Sequence, residues 1–353
     1  MNQTKVAFLT VLVAALAGCS SSASDGMGSP ARGGSAGAGG SNAIAGGGAT
    51  ASGGTAPAGA GGSSATGGTA GAGGLGGSSG SSGGTGGSAG SGSSAGVVPK
   101  PSPGCMKATP RPAGGKVEVT GQSLHLFPAS YDGTKPFPLL IALHACGNQN
   151  TEFVGLTNGT NFETDYVRTF PNTPDSMQCW TNYSGDVSRV LSQYDDLVNN
   201  YCIDLNRVFG IAHSSGAQFL VKILAQKSDA QHLNFKAISP VAADPAAVAL
   251  PMPVLYIDGK MDNQRGPTSA ADTVAKFRTA NMCADTSKPY APVMSCMSTE
   301  AGHPTVDPGC IIYDNCSVPT IWCSHNDPSY GGTEHGVPCF AMKSMSDFFA
   351  SLH

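Results

Sequence analysis

The chain has 353 residues, a formal net charge of −4 and only 12% charged residues. A charge this small, with no cluster of Lys and Arg, gives no electrostatic basis for binding nucleic acid. The 49 glycines fall mostly in the first third, so the averages describe that segment and not the folded part.

Lys5 gives the N-terminus a positive start, Val6 to Ala17 is apolar, and Leu16-Ala17-Gly18-Cys19 closes the run. The apolar stretch is too short to span a bilayer and has the layout of an export signal. Small residues before a cysteine resemble a bacterial lipobox. That resemblance implies a signal over residues 1–18, cleavage before Cys19, and acylation of Cys19 as the sole membrane contact. A plain secreted protein with an accidental cysteine is the alternative. Residues 19–104 are nearly all Gly, Ser, Ala and Thr. Such a segment cannot bury enough apolar surface to offset its ordering entropy. It is expected to be a disordered tether that holds its cargo on the order of 50 Å from the anchor. Its Gly-Gly-Ser and Gly-Gly-Thr units follow no strict period, which argues against a solenoid.

The folded domain is expected over residues 105–353, ample for one core. Eleven cysteines are present, and setting Cys19 aside leaves an even ten in an exported domain, the pattern of disulfides. A zinc site is the alternative, but Cys310, Cys316 and Cys323 are the only close group and no C-x-x-C pair occurs.

Val117 to Thr120 and Leu124 to Leu126 alternate like an opening hairpin. Pro138 to Leu143 is a continuous apolar run, as in a strand buried on both faces of a parallel sheet. It runs into the small-residue loop His144-Ala145-Cys146-Gly147. Tyr166 to Pro171 is a further strand candidate. Asp186 to Asn200 carries apolar residues at helical spacing, with Asp186 as its cap. Strands follow at Val208 to Ile211, Phe235 to Ala242, Val254 to Ile257 and Thr320 to Ser324. Helices are expected at Gly216 to Gln226, Ser269 to Asn281 and Met342 to Leu352. Strands alternating with helices predict an α/β fold with a mostly parallel sheet, helices on both faces, and ligands at the strands' carboxyl ends.

Ala212-His213-Ser214-Ser215-Gly216-Ala217 follows the apolar run Val208 to Ile211 directly. Strand, sharp turn and helix with a serine at the apex form a nucleophile elbow, which needs very small residues two before and two after the serine. Ala212 and Gly216 meet that need. A Ser-rich turn before an ordinary helix is the other reading of these six residues.

Leu143-His144-Ala145-Cys146-Gly147 resembles the L-H-G-C-G loop of the secreted feruloyl esterase and polyhydroxybutyrate depolymerase group of α/β-hydrolases. Cys179-Trp180, Gly185-Asp186-Val187, Cys202-Ile203-Asp204 and Arg207-Val208-Phe209 recur there in the same order. The elbow then matches the group's G-H-S-S-G, and Gly331-Gly332-Thr333-Glu334-His335-Gly336-Val337-Pro338 resembles its G-G-G-H-x-W-P. Ala145 and Ala212 replace glycines, and Val337 stands where the group has tryptophan, which bears on the pocket wall and so on substrate class.

The resemblance implies a disulfide-stabilised α/β-hydrolase whose nucleophile is Ser214. The backbone N–H groups of Ser215 and Cys146 are the expected oxyanion donors. The group's I-H-G-x-x-D pattern puts the triad acid on Asp262, with Asp258 as runner-up. His335 is the expected general base, because it matches the group's H-x-W-P. His325 and His303 also follow Asp262 in the chain and are the rivals. His213 is expected to line the cleft, His144 to be structural, and Trp180 either to wall the pocket or to sit in the core. Cys146 and Cys179 would make one bridge between the oxyanion loop and the Cys-Trp segment, although connectivity is not read from sequence. The implied protein is a monomeric serine carboxylesterase without cofactor or metal, acting on feruloyl or acetyl esters of plant polysaccharide. A polyhydroxyalkanoate depolymerase and a non-catalytic surface binding module are the alternatives.

Overall fold

Alternation decides the first elements. β1 (Lys116–Val119) and β2 (Ser123–Leu126) form the expected antiparallel hairpin, with Lys116 opposite Leu126. The structure, a computed structural model, describes residues 98–352 apart from 120, 266, 292, 300, 301, 303 and 329–331. The export signal, Cys19, most of the expected tether and His303 therefore lie outside the described residues.

The apolar run becomes β3 (Phe137–Leu143), and its side chains divide between two apolar clusters. Leu139, Ile141 and Leu143 pack on one face of the sheet, Leu140 and Ala142 on the other. Each buried Leu or Ile there contributes roughly 1.5–3 kcal/mol. Two short helices that the sequence did not mark, α1 (Glu152–Thr157) and α2 (Asn161–Asp165), precede β4 (Val167–Pro171). Then come α3 (Tyr183–Asn200), β5 (Ile203–His213), α4 (Ser215–Ala225), α5 (Lys227–Leu233) and β6 (Ala237–Val241). β7 (Val254–Gly259) and α6 (Pro267–Ala280) follow. Four short strands come next, β8 (Ser287–Pro289), β9 (Cys296–Met297), β10 (Thr305–Val306) and β11 (Gly309–Tyr313). β12 (Thr320–His325) and α7 (Ala341–Ala350) close the chain. Among the described residues no helix is long and apolar enough to cross a membrane.

The main sheet has the order β1-β2-β4-β3-β5-β6-β7-β12-β11-β8. β4, β3, β5, β6, β7 and β12 are parallel, and the antiparallel strands stand at the two edges. Val187 and Leu197 of α3, Leu220 and Ile223 of α4 and Phe277 of α6 pack in one cluster. Phe162 of α2 and Met345, Phe348 and Phe349 of α7 pack in the other. This order, with helices on both faces, is the α/β-hydrolase fold.

All ten cysteines among the described residues are paired: Cys105–Cys202, Cys146–Cys179, Cys283–Cys316, Cys296–Cys339 and Cys310–Cys323. Cys310, Cys316 and Cys323, weighed as zinc ligands, are thus committed to sulfur. Five disulfides fit an oxidising, extracellular setting.

Two expectations are corrected. The cap of α3 is Asn182, whose side chain accepts the Gly185 N–H, while Asp186 turns inward to Thr173 Oγ1 at 3.1 Å. The folded domain also begins before the expected residue 105. Leu205 N–H donates to the Lys100 carbonyl, and buried Ser102 bonds Ile203 and Tyr201. Residues 98–104 therefore belong to the folded domain.

Candidate active site

Apolar β5 carries the chain into the centre of the sheet, where His213 pairs with Val241 of β6. Ser214 then takes φ 52° and ψ −117°, a positive φ that costs a non-glycine residue about 1–3 kcal/mol. Its neighbours hold it there. Ser214 N–H donates to the Val241 carbonyl and the Ser214 carbonyl accepts from Gln218 N–H, both at 2.9 Å. α4 starts at the next residue, with its first-turn amides directed at the turn.

The small residues flanking the serine do different work. A Cβ on Gly216 would lie 2.4 Å from the Leu143 carbonyl oxygen and 2.5 Å from that of His144. The loop after β3 therefore rests directly on this glycine. Ala212 instead lies within β5 opposite Leu143 and Pro240, and its methyl joins the apolar cluster.

Ser214, His335 and Asp262 come together in one hydrogen-bonded row. Ser214 Oγ is 2.8 Å from His335 Nε2, and His335 Nδ1 is 2.7 Å from Asp262 Oδ2. The three are 8%, 2% and 1% exposed, so the row is shielded except at the serine. Asp262 Oδ1 accepts the backbone N–H groups of Gln264 and Arg265 at 2.9 and 3.2 Å. Burial alone would raise the Asp262 carboxyl. The bonds from His335, Gln264 and Arg265 outweigh it and hold the group below the usual carboxylate range.

Strand ends deliver these groups. Asp262 follows β7 by a short turn. The His335 loop lies against the end of β7, where a Cβ on Gly259 would come within 2.2 Å of the Glu334 carbonyl. Asp258, the runner-up acid, is engaged elsewhere, by the Tyr256 hydroxyl at 3.0 Å and the Gly259 N–H at 2.9 Å. His325 ends β12, fully buried, and accepts the Asp327 N–H at 3.1 Å. Burial lowers its pKa to about 4, against the pull of Asp327 and Asp262. It lies outside the row.

His213, expected to line the cleft, and Trp180, expected either there or in the core, are both buried. His213 is 1% exposed and does not line the cleft: Nδ1 meets Glu152 Oε1 and Nε2 meets the His335 carbonyl, both at 2.7 Å. Trp180 is a core residue, stacked on Phe219 at 4.8 Å with its indole N–H donating to the His144 carbonyl at 2.8 Å. It supports the loop after β3 from beneath. His144 is buried, and its Nδ1 bonds the Ala145 carbonyl. The Cys146–Cys179 disulfide and the Gly147 N–H to Met177 carbonyl bond tie the same loop to the Cys-Trp segment.

Two neighbours carried no signal in the sequence. Arg265 Nη2 lies 3.4 Å from Ser214 Oγ, and the guanidinium is ion-paired with Asp244, which also accepts from Gln218 and Ser269. Glu152 reaches both Ala145 and His213 from the first turn of α1. Neither belongs to a motif, and the elbow residues they reach, Ser214 and His213, are remote from them in the chain. Among the described residues, no group of three or more His, Cys, Asp or Glu is arranged to hold a metal ion.

No protein-family model matches the chain, and no curated protein matches its sequence. Solved structures overlap it in part. An acetyl xylan esterase from Aspergillus awamori is 15% identical, with 67% of this chain and 98% of that chain covered at a TM-score of 0.43. The Bacillus cereus carboxylesterase is 16% identical, covering 44% of this chain and 80% of its own at 0.36. A thermophilic esterase from the Planctomycetes species Thermogutta terrifontis is 10% identical, with 45% and 72% covered at 0.37. Overlaps this partial add nothing to the fold or the chemistry, which rest on the strand order and the site.

Proposed function

We propose that the protein is a serine carboxylic ester hydrolase with Ser214 as nucleophile, His335 as general base and Asp262 as the group that orients the imidazole. The observation that carries this reading is the row of two short hydrogen bonds, 2.8 and 2.7 Å, ending on a strained serine at a helix N-terminus. Ser214 Oγ attacks the ester carbonyl carbon while its proton passes to His335 Nε2. Asp262, already ionised, stabilises the imidazolium. The carbonyl oxygen, now negative, accepts the N–H groups of Ser215 and Cys146, each donor of this kind being worth about 10²–10³ in kcat. Collapse expels the alcohol, which takes the proton from His335, and leaves the acyl group on Oγ. Water then repeats the sequence and frees the acid. No cofactor takes part.

The resemblance of the ordered motifs to the feruloyl esterase group supports feruloyl or acetyl esters of plant polysaccharide as substrates, and the enzyme is proposed to act as a monomer. The sequence of the N-terminus supports export, a lipid anchor at Cys19 and the long tether. A polyester such as a polyhydroxyalkanoate is the second reading, favoured by two exposed methionines beside the site. Met177, 71% exposed, bonds the oxyanion loop through its carbonyl, and Met261, 73% exposed, directly precedes Asp262.

Labelling of the pure protein by a fluorophosphonate, lost in Ser214→Ala, tests the chemistry. A hydrolysis panel of feruloyl, acetyl and hydroxybutyrate esters then separates the two substrates. No labelling and no hydrolysis would leave a non-catalytic surface binding module. Cys19→Ser is expected to release the protein from the membrane fraction, and retention there would refute the anchor.

A further inference from the structure

The Glu152 carboxylate lies among three loops of the site. Oε2 accepts the Ala145 N–H at 2.6 Å, one residue before the proposed donor Cys146. Oε1 lies 2.7 Å from His213 Nδ1, and His213 Nε2 lies 2.7 Å from the carbonyl oxygen of His335. The chain of contacts thus runs from the oxyanion loop, through the residue before the nucleophile, to the backbone of the proposed base.

The protons can be assigned. A carbonyl only accepts, so His213 carries hydrogen on Nε2. The Ala145 amide only donates, so Oε2 is an acceptor. One more proton lies between Nδ1 and Oε1. Burial would raise the Glu152 carboxyl, but the bonds from His213 and Ala145 outweigh it and hold it below its usual range. The 2.7 Å contact is then a hydrogen bond from the imidazole to the Glu152 carboxylate. Stabilising the N-terminus of α1 is a weaker account of this carboxylate. That helix has six residues, and both oxygens are turned to groups outside it.

Resting on the ester hydrolase reading, the geometry points to Glu152 and His213 as positioning residues, a carboxylate–imidazole clamp that holds the oxyanion loop and the His335 loop in register with Ser214. Neither touches substrate. Loss of the clamp lets the donor N–H and the base drift relative to Oγ, and a misplacement of this kind costs about 10²-fold in rate.

Glu152→Ala and Glu152→Gln test the clamp. The Gln amide oxygen still accepts the Ala145 N–H, and its NH₂ donates to Nδ1 of a neutral His213 whose Nε2–H still reaches His335. On a small activated ester, Glu152→Ala is expected to lower kcat by about 10²-fold with KM within about threefold, and Glu152→Gln to recover most of it. The second readout needs no turnover. In a Ser214→Ala background, backbone amide exchange over 144–147 and 333–337 is expected to rise together in Glu152→Ala and to stay near the parent in Glu152→Gln. Should Glu152→Ala not fold, Glu152→Asp takes its place, since its shorter carboxylate does not span both partners. Faster exchange in the first segment alone, full kcat in Glu152→Ala, or a Gln variant as impaired as Ala would overturn the clamp. An inactive parent with coupled loops would condemn the hydrolase reading instead.

Discussion

Asp262→Asn probes the row where the structure leaves it least freedom. Oδ1 already accepts two backbone N–H groups, from Gln264 and Arg265, and Oδ2 faces His335 Nδ1 at 2.7 Å. An asparagine must keep its oxygen on the Gln264 and Arg265 side, because an NH₂ there would strand both donors at a cost of about 1–3 kcal/mol each. Its NH₂ then points at Nδ1, which must accept. The imidazole proton moves to Nε2 and points at Ser214 Oγ, so His335 no longer takes the serine proton. A triad in the wrong tautomer loses about 10⁴ in kcat, or about 5.4 kcal/mol at about 1.36 kcal/mol per decade. Asp258 is no substitute. Its oxygens are held by the Tyr256 hydroxyl and the Gly259 N–H, and in the parent burial, with the Asp262 charge, pushes the carboxyl up to about 7. The assay is kcat/KM on p-nitrophenyl acetate, with circular dichroism to confirm the fold of each variant. Asp262→Asn is expected to fall by about 10⁴ and Asp258→Asn to stay within about tenfold. A near-normal Asp262→Asn beside a dead Asp258→Asn would move the acid to Asp258, and two mild variants would refute the triad itself.

Gly216→Ala places a Cβ against two backbone carbonyls, so either α4 or the oxyanion loop must shift; kcat/KM should fall by about 10²-fold and Tm should drop, whereas Ala212→Gly should keep most activity. The Cys146–Cys179 bridge closes a span of 33 residues, and Cys179→Ser should cost about 3–4 kcal/mol by loop entropy; an unchanged Tm by calorimetry would contradict this. His125 and His325 are both lowered to about 4, chiefly by burial. Their unfolded pKa is near 6.5, so the unfolded chain binds more protons between about 6.5 and 4, and the stability they contribute is lost as pH falls through that window. Tm should decline over it, less steeply in His325→Asn, and a flat profile would refute the burial argument.

The legible elements were those whose signal is local. An unbroken apolar run gave β3, helical spacing gave α3, and the ordered motifs gathered Ser214, Asp262 and His335, which the structure brings into one row. Elements without enough residues to show a period were missed: α1 and α2 have six and five, β9 and β10 two each. Side-chain destinations were missed where a distant partner decides them. The residue beside the nucleophile looked like a cleft residue, but its partners, Glu152 and the His335 carbonyl, lie 61 and 122 positions away. Trp180 looked open to either role, and Phe219 together with the His144 carbonyl takes it into the core.

The two small residues of the elbow carry that distinction to its sharpest point. In the sequence, Ala212 and Gly216 meet one requirement, a tight turn, and the alanine reads as a slight defect. In the structure they answer to different neighbours. Ala212 sits between two strands with room for its methyl among apolar side chains. Gly216 has the carbonyls of Leu143 and His144 where its Cβ would be, so its size sets how closely the Cys146 loop approaches Ser214. The first position therefore tolerates a methyl because packing there is side chain against side chain. The second does not, because a backbone that must stay within reach of the nucleophile rests on it.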